Sequence, residues 1–548
     1  MEFSASGSRR RQPNLRNILL LAWSAIMLPA VVAADPGPSA AAEVRPRYVI
    51  EANVDMDAHR ISGLSTITVP ASNADPLMDV KFLLYANAIR GIERDGRPPI
   101  TIQEVRLDGR AAPYRIEATE LSVSLPERKS RPFDLTIKFS ADPPQIPEQA
   151  ATIDPDAAAE PTEKDVLDDA RSENFGIFGY CGNVMSLGSF WYPQLEVRMN
   201  GEWVGFRSPG PGDLLHAQWS DFTVTFGDLP KNTTVVASGT GDGRKFIAPG
   251  ARDFFVLIGR DFAFRSMDVK VGQRTVRVAA YVKPANKARI PMLLEAASSA
   301  LRTYDRRFGT YTFADLKIVE APLCGHSGGM EYSGVASLRS GYFKFLDQAD
   351  LMATQDNESR KIRKWTRCFF EVALVHEIAH QWWSIGVGND SLRHPFVDEA
   401  LATWSSLLYF EDRYGADQAR EVSDMVLKKP LLHEMEEGVK DVPANLPSSD
   451  YRGMYQYGMV IYQKGGLFYA ELRGLMGDKA FLGGLRDYYA RFRYRLAGPE
   501  DLRRILLARA PDLRSKIDAL YRKWIEEAHG IGETAAASDD GDGAPSGR

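Results

Sequence analysis

The amino-acid sequence predicts a multidomain α+β protein, in which an N-terminal antiparallel all-β domain precedes a mostly helical domain. Three observations lead to this prediction. The chain has 548 residues, which is too long for one compact core. Residues 45–282 alternate apolar with polar or β-branched residues between turns rich in Gly, Pro, Asp and Asn. Beyond Asn286 the apolar period becomes that of helices, as in FVDEALATWSSLLYFEDRYG.

These changes of pattern divide the chain into four predicted parts. Residues 1–34 form a signal peptide or an N-terminal anchor, and residues 45–282 form the β-rich N-terminal domain. Residues 283–530 form the helical domain, and residues 531–548 form a disordered tail. The tail is polar and has no aromatic residue, so it cannot bury a core.

The first 34 residues have the pattern of an export signal. Four arginines between residues 9 and 16 precede the apolar run ILLLAWSAIMLPAVVAA, which ends in small residues at Ala34. A basic segment, a short apolar run and a small-residue cleavage site are typical of a secretory signal peptide. We therefore expect a periplasmic or extracellular protein, with membrane association through an uncleaved segment as the alternative.

Composition and charge exclude several other classes of function. The chain is 44% hydrophobic and 25% charged, as globular proteins are. Its formal net charge is −5 and no domain is basic, so we expect no nucleic-acid partner. The 3 cysteines include no CxxC pair, which argues against a thiolate metal site.

The strongest motif in the chain is VHEIAHQWW. On a helix, His376 and His380 lie one turn apart on the same face, where both imidazoles can bind one metal ion. Glu377 lies beside them and can take a proton from a water that the metal acidifies. The flanking residues are apolar, so this helix is predicted to be buried, and buried histidines need a partner such as a metal.

A catalytic zinc ion needs a third protein ligand and an open position for water. Glu399 follows His380 after 18 residues, on the next predicted helix. Asp398 and His394 are competing donors, but Asp398 points about 100° away on that helix and His394 lies in a predicted turn. We therefore predict one zinc ion, held by His376, His380 and Glu399.

This spacing resembles the signature of gluzincins of the aminopeptidase N family, which includes leukotriene hydrolase. The His-Gln-Trp run after the second histidine is similar to that family as well. The resemblance extends from Arg45 to about Gly530 and implies a thermolysin-like zinc peptidase domain at residues 283–530. It also implies a short form of the family, without the large helical C-terminal domain of the bigger members.

The run Gly328-Gly329-Met330-Glu331 resembles the family's Gly-x-Met-Glu-Asn strand, which lines the substrate cleft. The resemblance implies that Glu331 binds the free α-amine of a peptide and that the glycines let the backbone lie close to the substrate. Tyr332 stands where the family often has asparagine. The alternative is that Glu331 is an exposed strand acid.

The same segment also contains GHSGG, the Gly-x-Ser-x-Gly pattern of a serine hydrolase. A nucleophile elbow needs a strand, a sharp turn and a helix. The residues after Ser327 are interrupted by Gly and Ser and do not begin a helix. A serine hydrolase is therefore a distant alternative.

The run VIYQKGG resembles the family's Tyr-x-Lys-Gly helix, which implies that Tyr462 stabilises the negative charge on the scissile carbonyl oxygen. Tyr457 also has a parallel in the family. On an α-helix the two tyrosines lie about 140° apart, so both cannot reach one oxygen unless the helix begins between them. We favour a catalytic role for Tyr462 and a core position for Tyr457.

These residues and the resemblance predict an exported zinc aminopeptidase that acts on peptides with a free N-terminus. Two departures from the family weaken the exopeptidase prediction: Asp398 and Ala400 alter the Asn-Glu-Gly-Phe-Ala run, and the β-domain glutamine has no match. The alternatives are a zinc endopeptidase or other zinc hydrolase, and a catalytically inactive envelope binding protein. The intact Glu377 argues against the inactive protein.

Overall fold

The computed structural model describes residues 45–89, 96–151, 175–206, 210–213, 215–352 and 356–528. The predicted signal peptide and the predicted tail lie outside these residues. Within the described ranges, no helix combines the length and the apolar character needed to span a membrane.

The strands in the described ranges, numbered in chain order, are β1 Arg47–Asp55, β2 Arg60–Val69, β3 Leu77–Leu83, β4 Ile100–Leu107, β5 Arg110–Ala111, β6 Tyr114–Glu117, β7 Glu120–Lys129, β8 Phe133–Ala141, β9 Gly179–Cys181, β10 Val184–Gly188, β11 Gln194–Leu195, β12 Arg198–Met199, β13 Glu202–Trp203, β14 Ser220–Phe226, β15 Thr233–Ala237, β16 Thr240–Gly241, β17 Lys245–Ala251, β18 Val256–Arg260, β19 Ala263–Val271, β20 Arg274–Val282, β21 Asp315–Ala321, β22 Gly329–Tyr332 and β23 Val335–Arg339.

The α-helices in the same ranges are α1 Glu148–Ala151, α2 Ile290–Phe308, α3 Ser340–Met352, α4 Asn357–Ala379, α5 Phe396–Tyr414, α6 Ala416–Ser423, α7 Lys429–Glu436, α8 Met454–Tyr457, α9 Gly465–Met476, α10 Asp478–Phe492, α11 Pro499–Arg509 and α12 Arg514–Tyr521. Short 3-10 helices occupy Tyr85–Ala88, Pro284–Arg289, Ser448–Asp450 and Pro511–Leu513. π-Helical turns occupy Asp424–Lys428, Gly458–Lys464 and Arg522–Glu526.

The N-terminal part is built from sheets, as the alternating pattern predicted. An eight-stranded sheet has the order β16-β17-β14-β1-β2-β8-β4-β5, and two four-stranded sheets have the orders β15-β18-β10-β9 and β11-β3-β7-β6. β1 pairs in parallel with β14 and antiparallel with β2. β1 buries alternate residues, including Tyr48, Ile50 and Ala52, because one face of the strand packs on the core. The predicted fold class, β-rich and then helical, is confirmed.

A five-stranded mixed sheet of order β19-β20-β21-β23-β22 carries the glycine-rich segment. β20 and β21 pair in parallel, as do β21 and β23, whereas β22 pairs antiparallel with β23. β22 is therefore an edge strand of this sheet, and it contacts the helix α4. The sequence pattern placed β19 and β20 in the N-terminal domain, yet they share this sheet with later strands. The domain boundaries themselves stay predictions.

The two helices that carry the metal motif are held together by a buried tyrosine. α4 begins after Asp356, whose side chain accepts a hydrogen bond from the Ser359 amide at 2.7 Å. The hydroxyl of Tyr304, on α2, lies 3.1 Å from the carbonyl oxygens of Val375 on α4 and Ser405 on α5. This contact fixes the spacing of α4 and α5 next to the predicted ligands.

A buried arginine connects the β-rich part to the loop between α4 and α5. Arg252 is 1% exposed. Its guanidinium donates to the carbonyl oxygens of Ala217 at 3.2 Å, Ser384 at 2.9 Å and Asn389 at 2.7 Å. The loop that follows the second histidine is thus anchored by the β-rich part.

Candidate metal centre

The structure brings the three predicted ligands to one point. His376 Nε2 lies 3.1 Å from Glu399 Oε2 and 3.1 Å from His380 Nε2, and His380 Nε2 lies 3.2 Å from Glu399 Oε2. His376 lies in the last turn of α4, His380 caps that helix, and Glu399 lies in the first turn of α5. The four-residue spacing and the packing of α5 on α4 together produce this triangle.

The second nitrogen of each imidazole faces a protein group. His380 Nδ1 lies 2.8 Å from the carbonyl oxygen of Trp383, and His376 Nδ1 lies 3.4 Å from Thr403 Oγ1. A carbonyl can only accept, so Nδ1 of His380 carries the proton and its Nε2 presents a lone pair. His376 Nε2, His380 Nε2 and Glu399 Oε2 then converge, and each of these atoms can bind a metal ion when it carries no proton.

This donor set fits a zinc ion. A tetrahedral ion with bonds of about 2.0–2.1 Å separates its ligand atoms by roughly 3.3 Å, close to the observed triangle. Two histidines and one carboxylate are also a known ligand set for catalytic zinc. His380 and Glu399 are 1% and 7% exposed, so the group is shielded from water, and a cation there compensates the carboxylate.

The competing donors do not join this group. Asp398 is buried and accepts a hydrogen bond from Ser391 Oγ at 2.9 Å. His394 lies in the turn before α5, where its carbonyl oxygen accepts from the Asn389 amide nitrogen at 3.3 Å. A second potential metal group joins Glu331, Glu377 and His380. The His380 atom nearest Glu331 is Nδ1, at 3.7 Å, and the Trp383 carbonyl already occupies it.

Glu377 is buried between the helix and the edge strand. It is 6% exposed, and a Cβ atom on Gly329 would overlap its carboxylate. Burial raises the pKa of Glu377 well above its ordinary value; His380 opposes this rise and Glu331 adds to it. Glycine at residue 329 is therefore required by the close approach of the Glu377 carboxylate.

Glu331 is a buried acid, so the alternative of an exposed strand acid is wrong. It is 5% exposed, and its Oε1 lies 3.7 Å from His380 Nδ1. Burial raises the pKa of Glu331 to about 7, His380 opposes the rise, and Glu399 adds to it. The carboxylate therefore lies directly beside the metal triad.

Gln381 holds the hairpin that carries Glu331. Its side-chain nitrogen donates to the carbonyl oxygen of Tyr332 at 2.9 Å, and its side-chain oxygen accepts from the Gly334 amide at 3.0 Å. The residue directly after the second histidine thus positions the β22–β23 turn. The sequence displays this glutamine in its His-Gln-Trp run, but only the packing shows what it bonds.

The rest of the glycine-rich segment leads into the edge strand β22. A Cβ atom on Gly328 would overlap the Tyr342 hydroxyl, and the Met330 carbonyl accepts a hydrogen bond from Ser337 Oγ at 2.9 Å. Ser327 Oγ donates to the Gly329 carbonyl at 3.0 Å. The element that follows Ser327 is the strand β22, so a strand–turn–helix nucleophile elbow does not form here.

The two tyrosines lie on the same side, in contrast to the expectation from α-helical spacing. Gly458–Lys464 is a π-helical turn, so the five-residue separation corresponds to one hydrogen-bonded turn. The rings of Tyr457 and Tyr462 are 5.8 Å apart in an edge-on contact. Tyr462 Oη donates to Glu399 Oε1 at 3.0 Å, whereas the buried Tyr457 hydroxyl has no hydrogen-bond partner among the described residues. Tyr457 is therefore a buried core residue, as predicted, and its ring packs against Tyr462 beside the ligand Glu399.

Sequence comparisons identify the family of the helical part. Residues 292–524 match the Peptidase family M1 domain. Aminopeptidase M1-D of Oryza sativa subsp. japonica is 25% identical over 236 residues, which are 42% of this chain and 25% of that protein. Aminopeptidase O of Homo sapiens is 24% identical over 264 residues, which are 44% of this chain and 29% of that protein. The chain thus spans about a quarter of the length of these curated relatives.

Structural comparisons show a shared fold. An M1 zinc metallopeptidase from Deinococcus radiodurans superposes with a TM-score of 0.57 at 17% identity, over 89% of this chain and 95% of that chain. A mutant of that enzyme bound to the substrate Tyr-Ser-Ala superposes with a TM-score of 0.54 at 17% identity, with the same coverage of 89% and 95%. The β-rich and helical parts are thus combined here as they are in these metallopeptidases.

Proposed function

The chain belongs to peptidase family M1 through its residues 292–524, and we propose that it is a zinc-dependent aminopeptidase. One observation carries this proposal: the buried Glu331 carboxylate lies 3.7 Å from His380, next to the three converging ligand atoms. A peptide whose terminal ammonium binds Glu331 has its first peptide bond within reach of the metal. The site is thus expected to recognise the free N-terminus of a peptide.

Each protein group has a defined task in the proposed reaction. When bound, zinc supplies a Lewis acid that polarises the scissile carbonyl and acidifies a water. Glu377 takes the proton of that water and delivers it to the leaving amine.

Tyr462 is proposed to stabilise the negative charge that develops on the carbonyl oxygen. Its hydroxyl lies beside the ligand Glu399, at 3.0 Å. Burial and the Glu399 charge raise the pKa of Tyr462 well above its ordinary value, so the hydroxyl keeps its proton and remains a donor. Tyr457, five residues earlier, lies against it and shapes the same side of the site.

Short peptides are the proposed substrates. The Deinococcus radiodurans relative binds the substrate Tyr-Ser-Ala, and it shares this fold. The edge strand β22 supports this substrate class, because an extended peptide can pair with a free strand edge.

The aminopeptidase proposal is tested by comparing free and blocked substrates. We expect the full chain to cleave alanine p-nitroanilide, to lose this activity in a chelator and to regain it with zinc. Glu331→Gln is expected to lower kcat/KM for this substrate by roughly 10- to 100-fold, since it removes a charge-assisted hydrogen bond. The readout is the initial rate against substrate concentration, with zinc content measured alongside.

The rival functions give other outcomes. A zinc endopeptidase would cleave N-acetylated peptides as fast as free ones, and Glu331→Gln would leave their relative rates unchanged. A catalytically inactive binding protein would hold zinc without turnover. The matched control is Glu358→Gln, which changes an exposed acid on α4 and is expected to behave as the wild-type chain.

We propose that the protein is exported, to the periplasm or the extracellular space, with the uncleaved anchor as the alternative. The support is the basic and apolar leader of residues 1–34, which lies outside the described residues. Sequencing the N-terminus of the protein recovered from the exported fraction tests it: a start at Asp35 indicates cleavage, and retention in the cell interior contradicts export.

A further inference from the structure

One face of α4 stays open to solvent from the beginning of the helix to the metal centre. Phe369 and Trp365 precede His376 by 7 and 11 residues on this continuous helix, so all three side chains lie within about 20° of one direction around its axis. Trp365 is 48% exposed, and Phe369 and His376 are partly buried. The side of α4 away from this face packs into the core through Phe370, Leu374 and Ile378.

The aromatic side chains of this face contact one another. Trp365 stacks on Phe369, with 5.4 Å between the ring centroids and 7° between the ring planes. Phe369 in turn meets Tyr342 of α3 edge-on, with 5.5 Å between the centroids. Trp365, Phe369 and Tyr342 thus form one continuous aromatic surface, which we call the aromatic row.

The glycine-rich segment connects the aromatic row to the reacting groups. A Cβ atom on Gly329 would overlap the Glu377 carboxylate, and a Cβ atom on Gly328 would overlap the Tyr342 hydroxyl. From Glu331 back along the chain, the backbone therefore passes Glu377 first and the aromatic row next. In the proposed reaction the terminal ammonium lies at Glu331 and Glu377 protonates the leaving amine. The aromatic row therefore lies on the leaving side of the cleaved bond.

The cations that flank Trp365 are paired with acids. Lys364 Nζ lies 2.6 Å from a carboxylate oxygen of Glu421, and Arg367 lies 3.0 Å from Asp350. A surface that binds anionic lipids presents clusters of lysine and arginine whose charge is available to the headgroups. The aromatic row, with its neighbouring charges compensated, therefore fits an apolar peptide side chain better than a membrane surface.

We propose that the aromatic row binds aromatic side chains of the peptide substrate, roughly three to five residues beyond the cleaved bond. This inference rests on the proposed aminopeptidase function and specifies its preferred substrates. At about 1.5 Å per helical residue, Phe369 and Trp365 lie roughly 10 and 16 Å from His376 along α4. An extended peptide advances about 3.3 Å per residue, so these distances correspond to roughly the third and fifth residues past the metal.

The test compares two hexapeptides with free N-termini in the full zinc-loaded chain. One is hexa-alanine, and the other carries phenylalanine at residues 4 and 6, which point to the same side of an extended peptide. The initial rate of release of the first alanine is followed by mass spectrometry. We expect kcat/KM to be roughly 2- to 12-fold higher for the phenylalanine peptide, mainly through a lower KM, since this is the range for one aromatic pair.

Trp365→Ala is expected to bring the ratio of the two kcat/KM values close to 1. The side chain is exposed and alanine favours a helix, so the variant is expected to fold, with Tm and zinc content as checks. The matched control is Phe264→Ala, which removes another half-exposed ring. Phe264 packs on Tyr281 at 4.7 Å and lies on β19, at the opposite edge of the sheet from β22. This control is expected to keep the wild-type ratio.

The outcomes separate this proposal from the proposed function. Equal kcat/KM values for the two hexapeptides in the wild-type chain, or an unchanged ratio in Trp365→Ala, overturn the aromatic row as a substrate site. An unchanged ratio with a lower Tm would show that the stacked pair only stabilises the helix. An unchanged ratio with lost binding to phosphatidylglycerol vesicles would assign the surface to a membrane. Cleavage of alanine p-nitroanilide by the wild-type chain is scored separately, and its absence contradicts the aminopeptidase proposal itself.

Discussion

Glu377→Gln is expected to keep one zinc ion per chain and to lower kcat by about 10²–10⁴-fold, the range typical of losing a general base. Glutamine has the shape of glutamate, so the packing against Gly329 is preserved. It cannot take up the proton of the attacking water. The measurement is kcat on alanine p-nitroanilide together with zinc per chain from elemental analysis.

The comparison variant for Glu377 is again Glu358→Gln, which makes the same change at the exposed start of α4. Wild-type turnover in Glu377→Gln would rule out its role as proton acceptor. Loss of zinc in that variant would instead show that Glu377 holds the metal, since its carboxylate also lies in a potential metal group with Glu331 and His380.

Glu399→Gln is expected to weaken zinc binding by more than about 100-fold, because changes in residues that only orient ligands already cost 10- to 100-fold. The amide oxygen is a neutral and poorer ligand than the carboxylate that lies 3.1 Å from His376 Nε2 and 3.2 Å from His380 Nε2. Zinc affinity is measured by competition with a chelating dye, and turnover should follow zinc occupancy.

The neighbouring acid provides a strict control for Glu399. Asp398 is equally buried in the same turn of α5 but bonds Ser391. Asp398→Asn is therefore expected to keep its zinc. Full zinc binding in Glu399→Gln, combined with zinc loss in Asp398→Asn, would show that Asp398 rather than Glu399 is the third ligand. The proposed mechanism would then lose its basis.

Local geometry explains why the sequence was sufficient to predict that the two histidines share one helix face. The spacing of His376 and His380 becomes a shared face as soon as the segment is helical, so no distant contact is needed to predict it. Glu399 was predicted from the length of the intervening chain and the family resemblance, and the packing of α5 on α4 brings its Oε2 within 3.2 Å of both imidazoles.

The tyrosines show where a local rule is insufficient. The expected 140° separation of Tyr457 and Tyr462 assumes α-helical geometry. The chain forms a π-helical turn there, which brings the two rings into contact. Apolar periodicity does not distinguish the hydrogen-bond pattern of an α-helix from that of a π-helix, which differ by one residue. The sequence alone therefore could not predict the relative orientation of the two tyrosines.

By itself, the sequence determined the β-then-helical order and the shared helical face of His376 and His380, because both depend on periodicity or spacing within short segments. The prediction of Glu399 also needed the family resemblance. Only the tertiary structure decided that Gln381 holds the Glu331 hairpin, that Gly329 makes room for Glu377 and that Gly212 lies against the Tyr457 hydroxyl. These contacts join residues far apart in the chain. No local pattern encodes them, since they arise only when separate elements pack against one another and bury their polar groups together.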